Sequence, residues 1–242
     1  MQTALITGAA RRIGAEIAKT LHDAGMNVIL HYHQSQKEAQ QLCAALNEMR
    51  PHSAAILSAD LGLISELPSV IEQAVKMWGR LDCLINNASQ FYQTPMGKAT
   101  EKMWNDLLAT NLQAPFFLAQ AAALHLAKQQ GSIINITDIH ATRPMRDYSV
   151  YCIVKAGLVM LTKVLAKELA PAIRVNAIAP GAIVWPEGEN TLSVEKQQVI
   201  LNQTALKRHG NPSNIAKAVL FLIRDAEYMT GQELVIDGGR GL

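Results

Sequence analysis

Tyr151 and Lys155 stand four apart in DIHATRPMRDYSVYCIVK, residues 138 to 155. On a helix that spacing puts both side chains on one face. A free phenol has a pKa near ~10 and is a poor acid at neutral pH. A neighbouring ammonium favours the phenolate and is expected to lower that value. Such a Tyr could hand a proton to a substrate that is receiving a hydride. The competing reading is a half-buried aromatic beside a solvated Lys, and the rest of the chain decides between them.

The elements that must position this pair alternate along the chain. Ala4 to Ile6 reads as a strand ending in Thr7-Gly8, and Ile13, Ile17 and Leu21 recur at helical spacing until Gly25. Val28 to Leu30 is a second strand, with Ser35 a plausible N-cap for the helix that follows. Ala54 to Leu57, Cys83 to Ile85, Ile133 to Ile136, Ile173 to Ile178 and Glu233 to Ile236 read as further strands. Between them lie helices around Leu67 to Ala74, Trp104 to Leu126 (one long helix), Ser149 to Leu169 and Ile215 to Leu222. Strand–helix alternation implies an α/β protein with a parallel sheet and helices on both faces. Short apolar strands fit burial on both faces. No linker, repeat or low-complexity run divides the chain, so residues 1–242 read as one domain. Residues 179–195 break the rhythm with Pro180, Gly181, Pro186 and Gly188. They read as a loop beyond a strand end, a candidate substrate lid with Trp185 as its aromatic part. A Trp filling a surface groove is the equal alternative.

Composition excludes several classes. Of 242 residues, 49% are apolar and 17% charged, with a net charge of +2. That describes a compact soluble chain without a nucleic-acid footprint. No basic leader with an apolar core opens the sequence, and no apolar stretch reads as long and charge-free enough to span a bilayer. Cys43, Cys83 and Cys152 have no metal-ligand spacing, so reduced thiols, a cytoplasmic setting and no metal are expected.

TGAARRIG follows the first strand and opens the first helix. A glycine turn there, with Gly8, Ile13 and Gly14, lets backbone N–H groups meet a pyrophosphate. Enzymes that prefer NAD commonly carry an acid after the second strand. Here that place reads HYHQS, residues 31–35, with no acid. Arg11 and Arg12 could meet a phosphate, and two cations at the positive end of a helix dipole need an anion to relieve them. NADP is therefore expected over NAD.

TGAARRIG, Asp60, NNA at 86–88, Asn111, Tyr151-x-x-x-Lys155 and Pro180–Gly181, in this order, resemble the short-chain dehydrogenase/reductase family over nearly the whole length. That resemblance implies a Rossmann-type doubly wound parallel sheet of about seven strands and a homotetramer. Three departures narrow it. Arg12 replaces the middle Gly of the usual TGxxxGxG, NNAS replaces NNAG, and Asp138 replaces the usual catalytic Ser. All three, with HYHQS and NNASQFYQTP, resemble the pteridine reductases within the family. Gln34 departs from them, since their HYHRS carries an Arg that would meet the 2′-phosphate. NADP preference then rests on Arg11, His33 and Ser35.

Carried over residue by residue, the resemblance implies these roles. Tyr151 is the active-site Tyr, Lys155 binds the nicotinamide ribose and lowers the Tyr pKa, and Asp138 works with Tyr151 in proton delivery. Asn111 orders a relay water. Phe91 stacks on the pterin, and Ser89 and Arg12 contact substrate and cofactor phosphates. Asn87 and Ala88 line the cofactor, and Asp60 with Leu61 meets the adenine. Arg240 is a candidate to approach a neighbouring subunit's site. The competing roles are a core aromatic for Phe91 and an Asx-turn cap for Asp138. The expected activity is NADPH-dependent reduction of 7,8-dihydropterins, with dihydromonapterin or dihydrofolate as possible natural substrates. The alternatives are a 3-oxoacyl thioester (carbonyl) reductase and a non-catalytic NADP-sensing protein. Pterin or folate is the expected partner, with neither nucleic acid nor membrane.

Overall fold

Seven strands, all paired in parallel, run in the order β3-β2-β1-β4-β5-β6-β7 in the computed structural model, which describes residues 1–186 and 191–242. They are β1 (Thr3–Ile6), β2 (Asn27–Tyr32), β3 (Ala54–Ser58), β4 (Cys83–Asn86), β5 (Ser132–Ile136), β6 (Arg174–Pro180) and β7 (Glu233–Ile236). The helices are α1 (Arg12–Asp23), α2 (Gln36–Met49), α3 (Leu67–Trp78), α4 (Glu101–Leu108), α5 (Ala114–Ala127), α6 (Ser149–Glu168), α7 (Val194–Gln203) and α8 (Pro212–Arg224). This is the Rossmann-type architecture expected. The strand order reverses between β1 and β4, which opens a crevice at their carboxyl ends.

Strand alternation explains the unbroken apolar runs. Ala4 and Ile6 face a core with Ile17 and Leu21 of α1 and Val219 and Leu222 of α8. Leu5, between them, faces a second core with Val70 of α3, Leu118 of α5 and Leu158 of α6. Successive side chains point to opposite faces, so a strand covered on both sides is apolar throughout. Each fully buried side chain of this kind contributes about 1.5–3 kcal/mol.

Two expectations are refined and two are corrected. The single helix over 104–126 is α4 and α5 joined by a π-helical segment, Ala109–Gln113, that contains Asn111. Such an extra residue shifts the phase of an apolar stripe, but α5 (APFFLAQAAALHLA) is apolar on nearly every side and has no stripe to show the shift. Ser35 occupies the N-cap position of α2, but its side chain makes no capping hydrogen bond. The loop expected over 179–195 gives way to α7 at Val194, capped by Ser193, and residues 187–190 of it lie outside the described residues. Lastly, two helical stretches are long and apolar enough to cross a membrane: Glu101–Ala127 (27 residues, mean hydropathy 1.3) and Ser149–Glu168 (20 residues, 1.6). The charges of the first sit at its start, and both bury much of their apolar surface on the sheet.

Candidate active site

The glycine turn between β1 and α1 is built by close approach. Gly8 has φ +62°, and a Cβ on it would lie 3.0 Å from the Ala88 Cα. A Cβ on Gly14 would lie 2.3 Å from the Gly8 carbonyl oxygen and 2.6 Å from the Asn87 amide nitrogen. Asn87 donates from that amide to the carbonyls of Thr7 (2.8 Å) and Gly8 (3.1 Å). The Thr7 hydroxyl accepts from the N–H groups of Asn87 and Ala88, both at 2.9 Å. The turns after β1 and β4 therefore hold each other. Arg11 sits at the N-cap of α1 without a capping bond, and no acid occupies the first turn. The exposed N-terminal N–H groups of that turn suit an anion. Gly at positions 8 and 14 lets the two turns close on each other, and the start of α1 then faces the cleft, where its N–H groups would meet a dinucleotide pyrophosphate.

Arg12 takes the backbone of the glycine it replaces, with φ +55°. An L-residue held there costs of order 1 kcal/mol. Its guanidinium donates to the carbonyls of Val184 (3.2 Å) and Trp185 (3.0 Å), tying the loop after β6 to the glycine turn. Trp185 also meets His209 edge-on, ring centroids 5.9 Å apart. Arg11 extends toward Glu38 (3.9 Å), and His33 toward Asp60 (3.8 Å), at a half-exposed rim. Asp60 accepts from the Gly62 N–H at 2.8 Å.

On the catalytic side, α6 begins where the loop after β4 meets it. Ser149 donates its hydroxyl to the Thr94 carbonyl (2.8 Å), and Thr94 accepts from the Val150 N–H (3.2 Å). This anchor brings Phe91 against α6. Its ring stacks on Tyr148 at 4.6 Å and meets Tyr151 edge-on at 4.9 Å. Each oxygen of Asp138 has its own partner. Oδ1 accepts from the His140 N–H at 2.8 Å, closing a turn, and Oδ2 accepts from the Tyr151 hydroxyl at 2.8 Å. Lys155 is 2% exposed and donates to the Ile136 carbonyl at 3.0 Å, with Nζ 5.7 Å from the Tyr151 ring centroid.

The electrostatics overturn one expectation. The Tyr151 pKa is raised well above the ordinary value, not lowered. Burial is the main cause, followed by the charge and hydrogen bond of Asp138, with the nearby Ser89 hydroxyl opposing. The phenol therefore holds its proton at neutral pH and donates it to the carboxylate. Burial lowers the Lys155 pKa to about 8, with the Asp138 charge opposing that shift. The Lys is still predominantly a cation at pH 7.

A cleft of about 980 Å³ joins both sides. Every expected cofactor- and substrate-contacting residue lines it, from Gly8, Ile13, Ser35 and Leu61 to Pro180 and Gly181. Asn111 does not. It is 1% exposed and reaches the cleft through Ser89, whose hydroxyl donates to its Oδ1 at 2.6 Å. The Asn111 amide donates to the Gln90 (3.1 Å) and Leu107 (3.0 Å) carbonyls. Arg240 lines the cleft of its own chain. Sequence reasoning missed Tyr148, although its place three residues before Tyr151 puts it beside that face. It also missed His31 and the α7 residues Lys196 and Ile200.

A parallel sheet with a glycine-turn cradle at its switch point and a Tyr–Lys pair beside it defines an oxidoreductase that works with a nicotinamide cofactor. A family model described as enoyl-(acyl carrier protein) reductase matches residues 8–240. The chain belongs to the short-chain dehydrogenase/reductase family. It is 35% identical to pteridine reductase 1 of Leishmania tarentolae, covering 99% of this chain and 96% of that protein. It is 36% identical to 3-oxoacyl-(acyl-carrier-protein) reductase FabG of Staphylococcus epidermidis, covering 98% of each. It is 34% identical to a putative ketoacyl reductase 2 of granaticin polyketide synthase from Streptomyces violaceoruber, covering 99% of this chain and 96% of that protein.

Proposed function

We propose that this protein is an NADPH-dependent pteridine reductase that converts 7,8-dihydropterins to their tetrahydro forms. The carrying observation is the Asp138 carboxylate bonded to the Tyr151 hydroxyl, where the family usually has a Ser. A Ser hydroxyl suits a ketone oxygen. A carboxylate accepts from ring and amino N–H groups, which a pterin edge offers. Phe91 adds a ring wall for a flat heteroaromatic. The glycine turn, Asn87 and Lys155 would hold the cofactor, which supplies the hydride to C6. The C6=N5 double bond then needs one proton at N5. Tyr151 holds that proton, Asp138 shares it, and Lys155 offsets the charge left on the oxygen. The NADP preference rests on Arg11, His33 and Ser35 at a rim where residues 31–35 carry no acid, with Glu38 beside Arg11 and Asp60 beside His33. Self-association rests on exposed apolar residues of α5 and α6, among them Leu124, Ile153 and Met160.

Identity to a 3-oxoacyl reductase (36%) is as high as to the pteridine reductase (35%) and supports a second reading, reduction of a 3-oxoacyl thioester. NADPH oxidation with dihydrobiopterin, dihydromonapterin, dihydrofolate and acetoacetyl thioester in parallel separates the two. Turnover of a dihydropterin and not of the thioester is expected, and Asp138→Ser should cut it about 100-fold. Turnover of the thioester alone, kept or raised in Asp138→Ser, would replace the pterin reading with the second.

A further inference from the structure

His31 is a buried titratable group that the chemistry above leaves without a task. It is the penultimate residue of β2, is 2% exposed and lines the cleft. Its Nδ1 accepts from the Gly8 N–H at 3.1 Å. A nitrogen that accepts carries no proton, so in the neutral ring the proton is on Nε2. Nε2 lies 3.2 Å from the Ala59 carbonyl and therefore donates to it. One ring thus bridges the glycine turn after β1 and the segment after β3. The backbone repeats the bridge, since the His31 carbonyl accepts from the Ala9 N–H (2.9 Å) and the Tyr32 carbonyl from the Ala59 N–H (3.1 Å).

The two bridged segments are opposite walls of one groove. Gly8 and Gly14 belong to the pyrophosphate wall. Ala59 leads directly into Asp60 and Leu61, which line the same cleft. We propose that His31 is a positioning residue for the cofactor, a neutral Nε2-protonated imidazole that fixes the separation of the two walls between which the adenosine half of a dinucleotide lies. A hydrophobic residue would fill the volume but leave the Gly8 N–H and the Ala59 carbonyl without side-chain partners. An amide reaches only one of them. Asn places its oxygen near Nδ1, and Gln places its nitrogen near Nε2.

Burial keeps this ring neutral, with its pKa lowered to about 4. The hydrogen bond to the Ala59 carbonyl opposes that fall; of the titratable groups facing the ring, His33 just after β2 adds to it and Asp60 after β3 opposes it. Protonation would put a hydrogen on Nδ1 against the Gly8 N–H and open the bridge.

The inference rests on cofactor binding alone and is independent of the pterin reading. The test measures NADP⁺ affinity by calorimetry in wild type, His31→Asn, His31→Gln and His31→Leu, beside thermal melting without ligand. Expected is a weakening of about tenfold in His31→Leu, with smaller losses in Asn and Gln and kcat at saturating cofactor within twofold. Unchanged affinity in folded His31→Leu overturns the inference. So does a fall in active fraction without change of affinity, which marks a merely structural residue. Absence of NADP⁺ binding by wild type overturns the cofactor reading itself. Imidazole ¹⁵N resonances of the wild-type protein without ligand decide the matter even if variants fail to fold. A His31 signal with bare Nδ1 that does not titrate between pH 8 and 5 is expected. An Nδ1-protonated ring, or titration near pH 6.5, sinks the proposal.

Discussion

His31 and Lys155 are both 2% exposed, both line the cleft and both are pushed toward neutrality by burial, yet they end in opposite charge states. His31 falls to about 4 and is neutral at pH 7, while Lys155 falls to about 8 and is still a cation. The starting points differ, and so do the surroundings. His31 meets a backbone donor and a backbone acceptor, which a neutral ring satisfies on both sides. Lys155 meets a carbonyl and the field of Asp138, both of which favour a cation. The cleft thus carries a neutral bridge at His31 and a retained charge at Lys155.

The largest expected break of that contrast is Lys155→Met. Turnover should fall by 10²-fold or more, while NADP⁺ affinity falls much less. The same variant should be more stable than wild type below pH 8, by about 1–3 kcal/mol, because it buries no charge. The sign follows from the lowered pKa. Between about 8 and the free value of 10.5 the unfolded chain binds the extra proton, so wild-type stability from this group rises across that window. Urea unfolding at pH 7 and pH 10 measures it. A destabilised Lys155→Met at pH 7 would show that the cation supports the fold.

Gly14→Ala should produce the next largest effect, confined to the cofactor side. Its Cβ would collide with the Gly8 carbonyl at 2.3 Å, so the turn must shift. Loss of cofactor affinity by tenfold or more is expected, with little change in the pH dependence of turnover. Calorimetry beside a pH–rate profile checks both halves. Equal loss in each would mean that the two sides are not separable.

Arg12→Gly sharpens the comparison most gently. Gly relieves the backbone at φ +55° but releases the carbonyls of Val184 and Trp185. A stability gain below ~1 kcal/mol and a several-fold rise in substrate KM are expected. An unchanged KM would remove Arg12 from the positioning of that loop.

These regions were not equally legible in the sequence. The glycine turn was, because Gly8 and Gly14 answer to local backbone demands. The Tyr151–Lys155 pair was, because helical spacing alone puts it on one face. The direction of the Tyr151 shift was not. It depends on burial and on Asp138, which chain proximity does not reveal. The π-helical segment at Asn111 escaped because α5 after it is apolar on nearly every side, so no stripe shows the change of phase, and the reach of Arg12 to Trp185 spans 173 positions. α7 was hidden behind the prolines and glycines that precede it.

The sheet's parallel order has a practical side. Chemistry crowds the end where strands finish, while turns such as Gly25 and Gly79 occupy the end where strands begin. A Cβ on either would meet nothing within 4 Å. A strand the length of β2 spans roughly 20 Å. A short reporter peptide spliced at either turn would ride on the molecule at about that distance from the cleft. The same splice between 88 and 93 would dismantle the wall that carries Phe91. The enzyme offers one end for engineering and reserves the other for its reaction.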